Sequence, residues 1–207
     1  MTSARRFGDA GQAFPIYITV VGGLLFLAFV YLAVGQAAAN RNGAQTAADA
    51  AALAAALDTR DKLTDEWVEN VLDPTKWQDI FNGEVEVFGG CERANQLAAQ
   101  NDATVTGCAG PGGFPPGYEV TVRTTESVGD SLVPGTEDTY SEASATAVID
   151  RLCEFELPGE DAGDDMLPEL TCEDGISWPL DPDNLDDLPG PEDLFDVHLA
   201  DGQANDE

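Results

Sequence analysis

The stretch "RNGAQTAADAAALAAALD" (residues 41–58) decides the fold of this chain. Nine of its 18 residues are alanine, and Asp49 lies in the middle of the alanine run. Alanine has the highest intrinsic helix propensity, so we predict that the residues from Ala44 to Leu57 are helical even beside water. What remains to be explained is why a small-residue helix with one internal charge stands at this place in the chain.

A long apolar segment comes directly before this stretch. From Phe14 to Val34 the chain is almost continuously apolar and carries no charge. Twenty-one helical residues rise about 31 Å, which is close to the ~30 Å hydrocarbon core of a bilayer. We therefore predict a transmembrane helix from Phe14 to Val34, which continues through the alanine run to Leu57 as one long helix with a kink near Gly43.

The flanks of the apolar segment predict its orientation. Arg5 and Arg6 precede it, so the positive-inside rule places residues 1–11 in the cytoplasm and the bulk of the chain outside, with Arg41 weakening this bias without reversing it. The alternative is a secretory signal cleaved after the small residues 37–39, although the apolar run is longer than a usual signal core. Both interpretations export the rest of the chain, and the first makes it a single-pass protein of the cell membrane.

The chain is strongly acidic. Its formal net charge is −30, which repels nucleic acid, so we expect no nucleic-acid partner. Residues 154–207 contain 19 acidic residues and no lysine or arginine. Such a block buries too little apolar surface to offset chain entropy, so we predict an acidic, largely disordered tail at residues 153–207.

Between the long helix and the tail, the residue pattern predicts a small extracytoplasmic domain at residues 60–152. "YEVTVRTTE" (residues 118–126) alternates with period two and is the clearest strand. Thr64 can cap a helix that ends before Pro74. Helices followed by several short strands favour an α+β domain with an antiparallel sheet. The predicted elements are helices at 64–72 and 92–102 and strands at 84–88, 103–108, 118–126 and 143–150.

Four cysteines lie in the exported part of the chain, namely Cys91, Cys108, Cys153 and Cys172. Export favours disulfides over free thiols. Of the three possible pairings we favour Cys91–Cys108 with Cys153–Cys172, because each closes a modest loop. Zinc is the alternative, but no two cysteines have the short spacing of metal ligands, and the single histidine is His198.

Two segments of the tail resemble binding elements. "DPDNLDDLPGPE" (residues 181–192) matches an EF-hand calcium loop at its first, third and twelfth positions, but Asp186 replaces the glycine required at the sixth. We favour a solvated linker with at most weak cation binding. "PEDLFDVHLAD" (residues 191–201) could form a short helix that is either transient or docks a basic partner.

Catalytic chemistry has little support in the sequence. Nucleophilic catalysis normally needs a base close to the nucleophile, most often histidine, and the lone His198 lies in the acidic tail. The sequence has no G-x-S-x-G elbow, phosphate-binding glycine loop or clustered metal-ligand motif. We therefore predict that the protein is not an enzyme and uses no cofactor, catalytic site or metal site.

The N-terminal region resembles a known family. "RRFGDAGQAFPIYITVVGGLLFLAFVYLAVGQAAANRNGAQTAADAAALAAALD" (residues 5–58) is similar to the start of TadG-like proteins of Tad, or Flp, pilus assembly. The basic pair, the "GQAFP" entry to the span and "QTAADAAALAAA" (residues 45–56) carry the resemblance. It implies an anchored part of a bacterial machine that builds adhesive pili, and it carries over no catalytic residue. A prepilin cut after Gly11 would place Ile16 where related pilins have glutamate, so we expect an uncleaved anchor.

Small residues four positions apart let helices approach closely, as in Gly35/Ala39, Gly43/Ala47 and Ala47/Ala51. We therefore predict packing against partner helices, and the alternative is a helical spacer that holds the domain off the bilayer. Asp49 is then either a solvent-facing break in the alanine surface or a polar contact to a partner helix. The helix-packing candidates are Gly35, Ala39, Gly43, Ala47, Asp49 and Ala51.

These observations predict an α+β protein with three exported or membrane parts: the transmembrane and alanine-rich helix at 12–58, the small domain at 60–152 and the acidic tail at 153–207. The predicted function is a non-enzymatic, single-pass membrane component of Tad/Flp-type pilus assembly or related secretion machinery at the cell surface. It would act through helix packing with other Tad proteins and through its exported domain. The alternative is a membrane-anchored extracytoplasmic binding module whose acidic region captures cations or a basic partner protein.

Overall fold

The fold is organised around one helix, α1, which runs from Ala13 to Glu69. The computed structural model describes residues 13–110, 114–127, 138–157, 167–173 and 175–200. At 1.5 Å per residue, the 57 residues of α1 extend about 85 Å. The predicted transmembrane and alanine-rich segments are therefore parts of one element, whereas the predicted cytoplasmic flank at 1–11 lies outside the described residues.

Helix α1 continues through two places where we predicted a change. Gly43 lies inside it, and the hydroxyl of Thr46 donates a hydrogen bond to the carbonyl of Asn42 at 3.0 Å. The predicted second helix with Thr64 as its cap is wrong, because α1 does not end until Glu69. Thr64 donates instead to the carbonyl of Arg60 at 3.1 Å. Threonine can satisfy its hydroxyl in this way inside a helix, so its presence does not mark a helix start by itself.

Helix α1 has two environments. Residues 14–43, which we call the exposed half, are almost entirely exposed, and burial begins at Ala44. Residues 44–69, the buried half, turn a face of alanines into the core and end in Leu63 and Trp67. The fully buried alanines of this half are Ala44, Ala47, Ala48, Ala51, Ala52, Ala55 and Ala56.

A four-stranded antiparallel sheet covers the buried half of α1, in the order β1-β2-β3-β7. In β2 the side chains of Tyr118, Val120 and Val122 are buried while the alternate Glu119 and Arg123 are exposed, as expected for a sheet with one solvated face. The strands are β1 (Ala103–Ala109), β2 (Gly117–Thr124), β3 (Glu142–Arg151), β4 (Cys153–Phe155), β5 (Leu170–Cys172), β6 (Ser177–Trp178) and β7 (Phe195–Leu199).

Tyr118 connects the main sheet to α1 and to the helix that follows Gly89. Its hydroxyl accepts a buried hydrogen bond from Thr59 of α1 at 2.9 Å. Its ring leaves no room for a side chain at Gly90 or Gly110, because a Cβ atom at either position would collide with the ring. The first of these glycines begins α3 (Gly90–Gln100), a helix that packs beside α1 and buries Ala94 and Ala98. Alanines on both helices allow this close approach.

The disulfides have the pairing that we favoured. Cys91–Cys108 joins α3 to β1 with the two Cα atoms 6.0 Å apart. Cys153–Cys172 joins opposed positions of β4 and β5, which form a second, three-stranded antiparallel sheet with β6. This prediction is confirmed.

An aromatic cluster closes the end of the domain that is farthest from the exposed half of α1. A short 3-10 turn (Pro74–Lys76) leads into α2 (Trp77–Phe81), which the sequence analysis did not predict. Trp67 of α1 meets Trp77 edge to face with ring centroids 5.5 Å apart, and Phe81 lies 5.3 Å from Phe195 of β7. Edge-to-face aromatic pairs add to the gain from burial.

Two predictions for the exported part need correction. Residues 84–88, predicted as a strand, form none, and no strand of the described residues pairs with them. Their half-buried Val85 and Val87 pack on the core instead. The described part of the predicted disordered tail is ordered. Its segment 191–201, predicted as a helix, is a single turn, α4 (Pro191–Leu194), followed by β7 and then by residues that are not described.

Strand β7 shows why the acidic composition misled the prediction. It pairs antiparallel with β3, and the core needs only some of its side chains to be apolar. Leu194 and Phe195 are buried, while Asp196 and His198 face solvent. Strongly acidic segments can therefore close a core when their acids fall on exposed positions. Residues 158–166, 174 and 201–207 of the predicted tail lie outside the described residues.

Candidate functional site

The exposed half of α1 has the composition of a membrane span. Within the described ranges, α1 is the one helix that is long and apolar enough to cross a bilayer. Its bulky side chains, such as Phe26 and Tyr31, are exposed all around the helix. A helix that is apolar on every face and covered by no protein requires an apolar solvent.

The structure separates the predicted helix-packing residues into two groups. Gly35, Ala39 and Gly43 lie in the exposed half of α1, and a Cβ atom added at either glycine would meet nothing within 4 Å. Ala47 and Ala51 are fully buried inside this chain's own domain. In this conformation the two buried alanines offer no surface to another helix, so contact with a partner helix stays a prediction for the exposed group.

Gly35, Ala39 and Gly43 lie on the same face of α1 as a groove on the domain. Positions 35, 39, 43, 50 and 57 follow one another at intervals of four or seven residues, so they share one face of α1. At the upper end of this face, a groove of about 790 Å³ lies between α1 and α3. Its apolar lining consists of Ala50, Leu53, Ala54, Leu57 and Leu97.

Two of the cations beside this groove are paired with carboxylates of the chain. Lys62 contacts the carboxylate of Asp58 one turn earlier, and Arg60 bonds the carboxylate of Asp61 at 2.8 Å. Arg93 of α3 donates to the side-chain oxygen of Gln96 at 2.8 Å. The groove therefore presents an apolar floor, which suits an apolar helix. Among the described residues that line it, Glu92 and Arg93 form no ion pair.

Sequence reasoning missed Leu53, Leu57 and Leu97 as surface residues of this groove. The spacing of Ala50, Leu53, Ala54 and Leu57 was a usable signal, since intervals of three and four residues mark one helix face. What the sequence did not show is that α3 packs beside this face without covering it. Leu57 keeps 38% of its surface exposed.

The part of the chain that matches a known family lies mostly in α1. Residues 11–58 match the family model "Putative Flp pilus-assembly TadE/G-like". The match confirms the predicted resemblance, and we call residues 11–58 the Tad-like segment. No curated protein and no solved structure matches the chain.

The Tad-like segment holds Asp49 in a local hydrogen bond. Gln45 donates to the carboxylate of Asp49 at 2.8 Å and reaches toward the carbonyl of Ser144 in β3 at 3.5 Å. Asp49 is half-exposed, so one side of its carboxylate is held within the chain and the other faces solvent. Its role as a contact to a partner helix stays a prediction.

Outside the Tad-like segment, the groups with catalytic potential are scattered. His198 lies on the edge strand β7, with ring nitrogens 3.0 Å from Asp196 and 3.7 Å from Asp150. Among the described residues it bonds no serine, threonine or cysteine. A cleft of about 540 Å³ near the aromatic cluster is lined by Glu154, Glu156 and Glu169. In the same part of the chain, no three or more His, Cys, Asp or Glu side chains are arranged to hold a metal ion.

Proposed function

We propose that this chain is a non-enzymatic, single-pass membrane component of Tad/Flp-type pilus assembly or related secretion machinery. The observation that carries the proposal is the place of the Tad-like segment, which forms both the exposed half of α1 and the start of the domain core. One rigid element thus joins the membrane to the exported domain. A movement or contact of the span is passed directly to the domain.

The proposed orientation places the N-terminus in the cytoplasm and the domain outside. Arg5 and Arg6 before the span support it through the positive-inside rule. Two disulfides support it independently, because disulfides persist in oxidising compartments. Protease added to spheroplasts should therefore digest the domain, and a domain that is cut only after lysis would contradict this orientation.

In the proposed mechanism, a partner helix packs along the shared face of α1. Gly35, Ala39 and Gly43 would let its backbone approach closely near the membrane surface. Farther from the membrane, the partner helix would contact Leu57 and the groove between α1 and α3. The partners proposed are other Tad pilus proteins, whose helices enter the membrane beside this one.

Surface pili in a deletion strain test the proposal. Complementation with the wild-type chain should restore pili, and Ala39→Leu should restore few, because the larger side chain keeps the partner helix away. Ala37→Leu is the matched control, since residue 37 is equally exposed but lies on another face of α1. Normal piliation of the deletion strain would overturn the proposed function. Equal piliation by both variants, at equal protein abundance, would overturn the helix-packing mechanism.

A further inference from the structure

Residues 84–88, "EVEVF", have the residue pattern of a strand without a strand beside them. Glu84, Glu86 and Phe88 are exposed, whereas Val85 and Val87 are half-buried and pack on the core. Such alternation is that of successive side chains on opposite sides of an extended backbone. Val85 lies at a bend, and the residues after it up to Phe88 belong to no regular element.

The backbone of this segment is held at its ends and unpaired in its middle. Glu84 N–H donates to the carbonyl of Asp79 at 2.8 Å, and Lys62 Nζ donates to the carbonyl of Phe88. Between them, the backbone groups of residues 85–87 have no hydrogen-bond partner in the part of the chain that the structure describes. Unpaired backbone groups on an exposed segment are a template for the addition of a strand.

Two exposed aromatic rings flank the same segment. A groove of about 480 Å³ separates residues 82–88 from Phe114. Phe88 is 76% exposed and Phe114 is 66% exposed, more than any other large apolar side chain described outside the exposed half of α1. The guanidinium of Arg151 lies 5.7 Å from the centroid of the Phe114 ring and helps to position it. Aromatic side chains of this kind are typical anchors of protein interfaces.

The charges of residues 84–88 indicate which kind of strand could pair with them. Within the described ranges, Glu84 and Glu86 form no ion pair. Opposite charges facing each other across two strands stabilise their pairing, and like charges weaken it. An added strand would therefore place lysine or arginine at alternate positions, opposite the two glutamates.

The same argument disfavours a second copy of this segment as the occupant. Antiparallel pairing centred on Glu86 would place that residue opposite its own copy. Parallel pairing in register would place both Glu84 and Glu86 opposite their copies. Each arrangement sets like charges against each other in a chain whose net charge is already −30.

We propose that residues 84–88, together with Phe114, bind an extended segment of another protein by strand addition, and that this segment carries basic side chains at alternate positions. The backbone groups of residues 85–87 supply the hydrogen bonds, and the two glutamates select the charge. Phe88 lies on the same side of the extended backbone as the two glutamates and contacts a basic side chain through its ring, and Phe114 lines the groove opposite the segment. This site lies on the domain, apart from the helix-packing face of α1, and does not depend on the proposed role in pilus assembly.

The test measures binding of a fluorescent Lys-Val-Lys-Val-Lys peptide to the full chain in phosphatidylcholine nanodiscs, whose neutral lipid does not attract the peptide. The double variant Glu84→Lys/Glu86→Lys should weaken binding at least about tenfold. The matched control Glu92→Lys/Glu119→Lys makes the same change of charge at exposed sites elsewhere and should weaken binding less than about twofold. Phe114→Ala, which leaves all charges in place, should also weaken binding.

A second peptide separates strand addition from simple attraction of charges. The same sequence with every backbone amide N-methylated keeps its charges but cannot donate to the segment, so it should bind at least about tenfold more weakly. Equal binding of the two peptides, or equal losses in the two double variants, would overturn the proposal in favour of unspecific charge capture. Self-association of the wild-type chain in sedimentation, lost in Glu86→Lys, would overturn it in favour of a second copy as the occupant.

Discussion

The two halves of α1 form one continuous helix but are built for different surroundings. The exposed half carries large apolar side chains on every face, such as Phe26 and Tyr31. The buried half buries mainly alanines, such as Ala51 and Ala55, over the length where α3 and the main sheet pack on it. Side-chain size therefore distinguishes the exposed candidate span from the half that packs against protein, although both halves are strongly helical.

The difference also defines where the domain begins along α1 relative to the candidate span. Between the end of the predicted span at Val34 and the first buried alanine, Ala44, the helix rises about 15 Å. No break in α1 separates the two halves. The distance between the candidate span and the domain, and the rotation of the domain about the helix axis, are therefore fixed by the helix itself.

Replacement of a large aromatic side chain in each half gives the largest expected contrast. Trp67 is fully buried in the aromatic cluster, so Trp67→Ala should lower the free energy of unfolding of the domain by about 3–5 kcal/mol. Tyr31 is 79% exposed, and Tyr31→Ala should leave the value unchanged within about 0.5 kcal/mol. Urea unfolding in nanodiscs, followed by near-ultraviolet circular dichroism, measures both. Comparable losses would mean that the domain also covers the exposed half.

Replacing one alanine with leucine in each half of α1 gives a smaller difference in stability. Ala51→Leu adds volume between α1 and its neighbours, so it should destabilise the domain by about 1–3 kcal/mol. Ala38→Leu makes the same change at an exposed position and should be neutral within about 0.5 kcal/mol. The measurement is the unfolding temperature of each variant. A neutral Ala51→Leu would show that the alanine face is loosely packed.

Gly43→Ala gives the smallest effect and probes the junction of the two halves. Its added Cβ atom meets nothing within 4 Å, so the helix should gain about 0.5–1 kcal/mol from the lower conformational freedom of alanine. Hydrogen exchange of the amides near residue 43 should slow accordingly. Faster exchange would indicate that the helix bends at this glycine, as the sequence alone had predicted.

Much of this structure was predictable because it is encoded by local patterns. The continuous apolar run defines the candidate span, and the alternation in residues 118–126 defines β2. The disulfide pairing followed from loop size. Of the candidate site, Gly35, Ala39 and Gly43 were found as an exposed small-residue series in the exposed half of α1.

The missed features depend on contacts between distant parts of the chain. Residues 84–88 alternate like a strand, but no neighbour is available to pair with them. β7 lies in an acidic segment whose composition predicts disorder, and its order comes from pairing with β3 and from burial of Phe195. The groove beside Leu57 exists only because α3 leaves that face uncovered. Local periodicity carries no information about such neighbours.

The pairing of β7 with β3 sets the order in which a chain synthesised from its N-terminus can fold. The alanine face of α1 is synthesised early, yet Phe195, which covers Phe81, follows more than a hundred residues later. Contacts between such distant residues form slowly, since the loop must close before they are gained. Until then the aromatic side chains of the cluster lack their cover and expose apolar surface, which favours association with other chains.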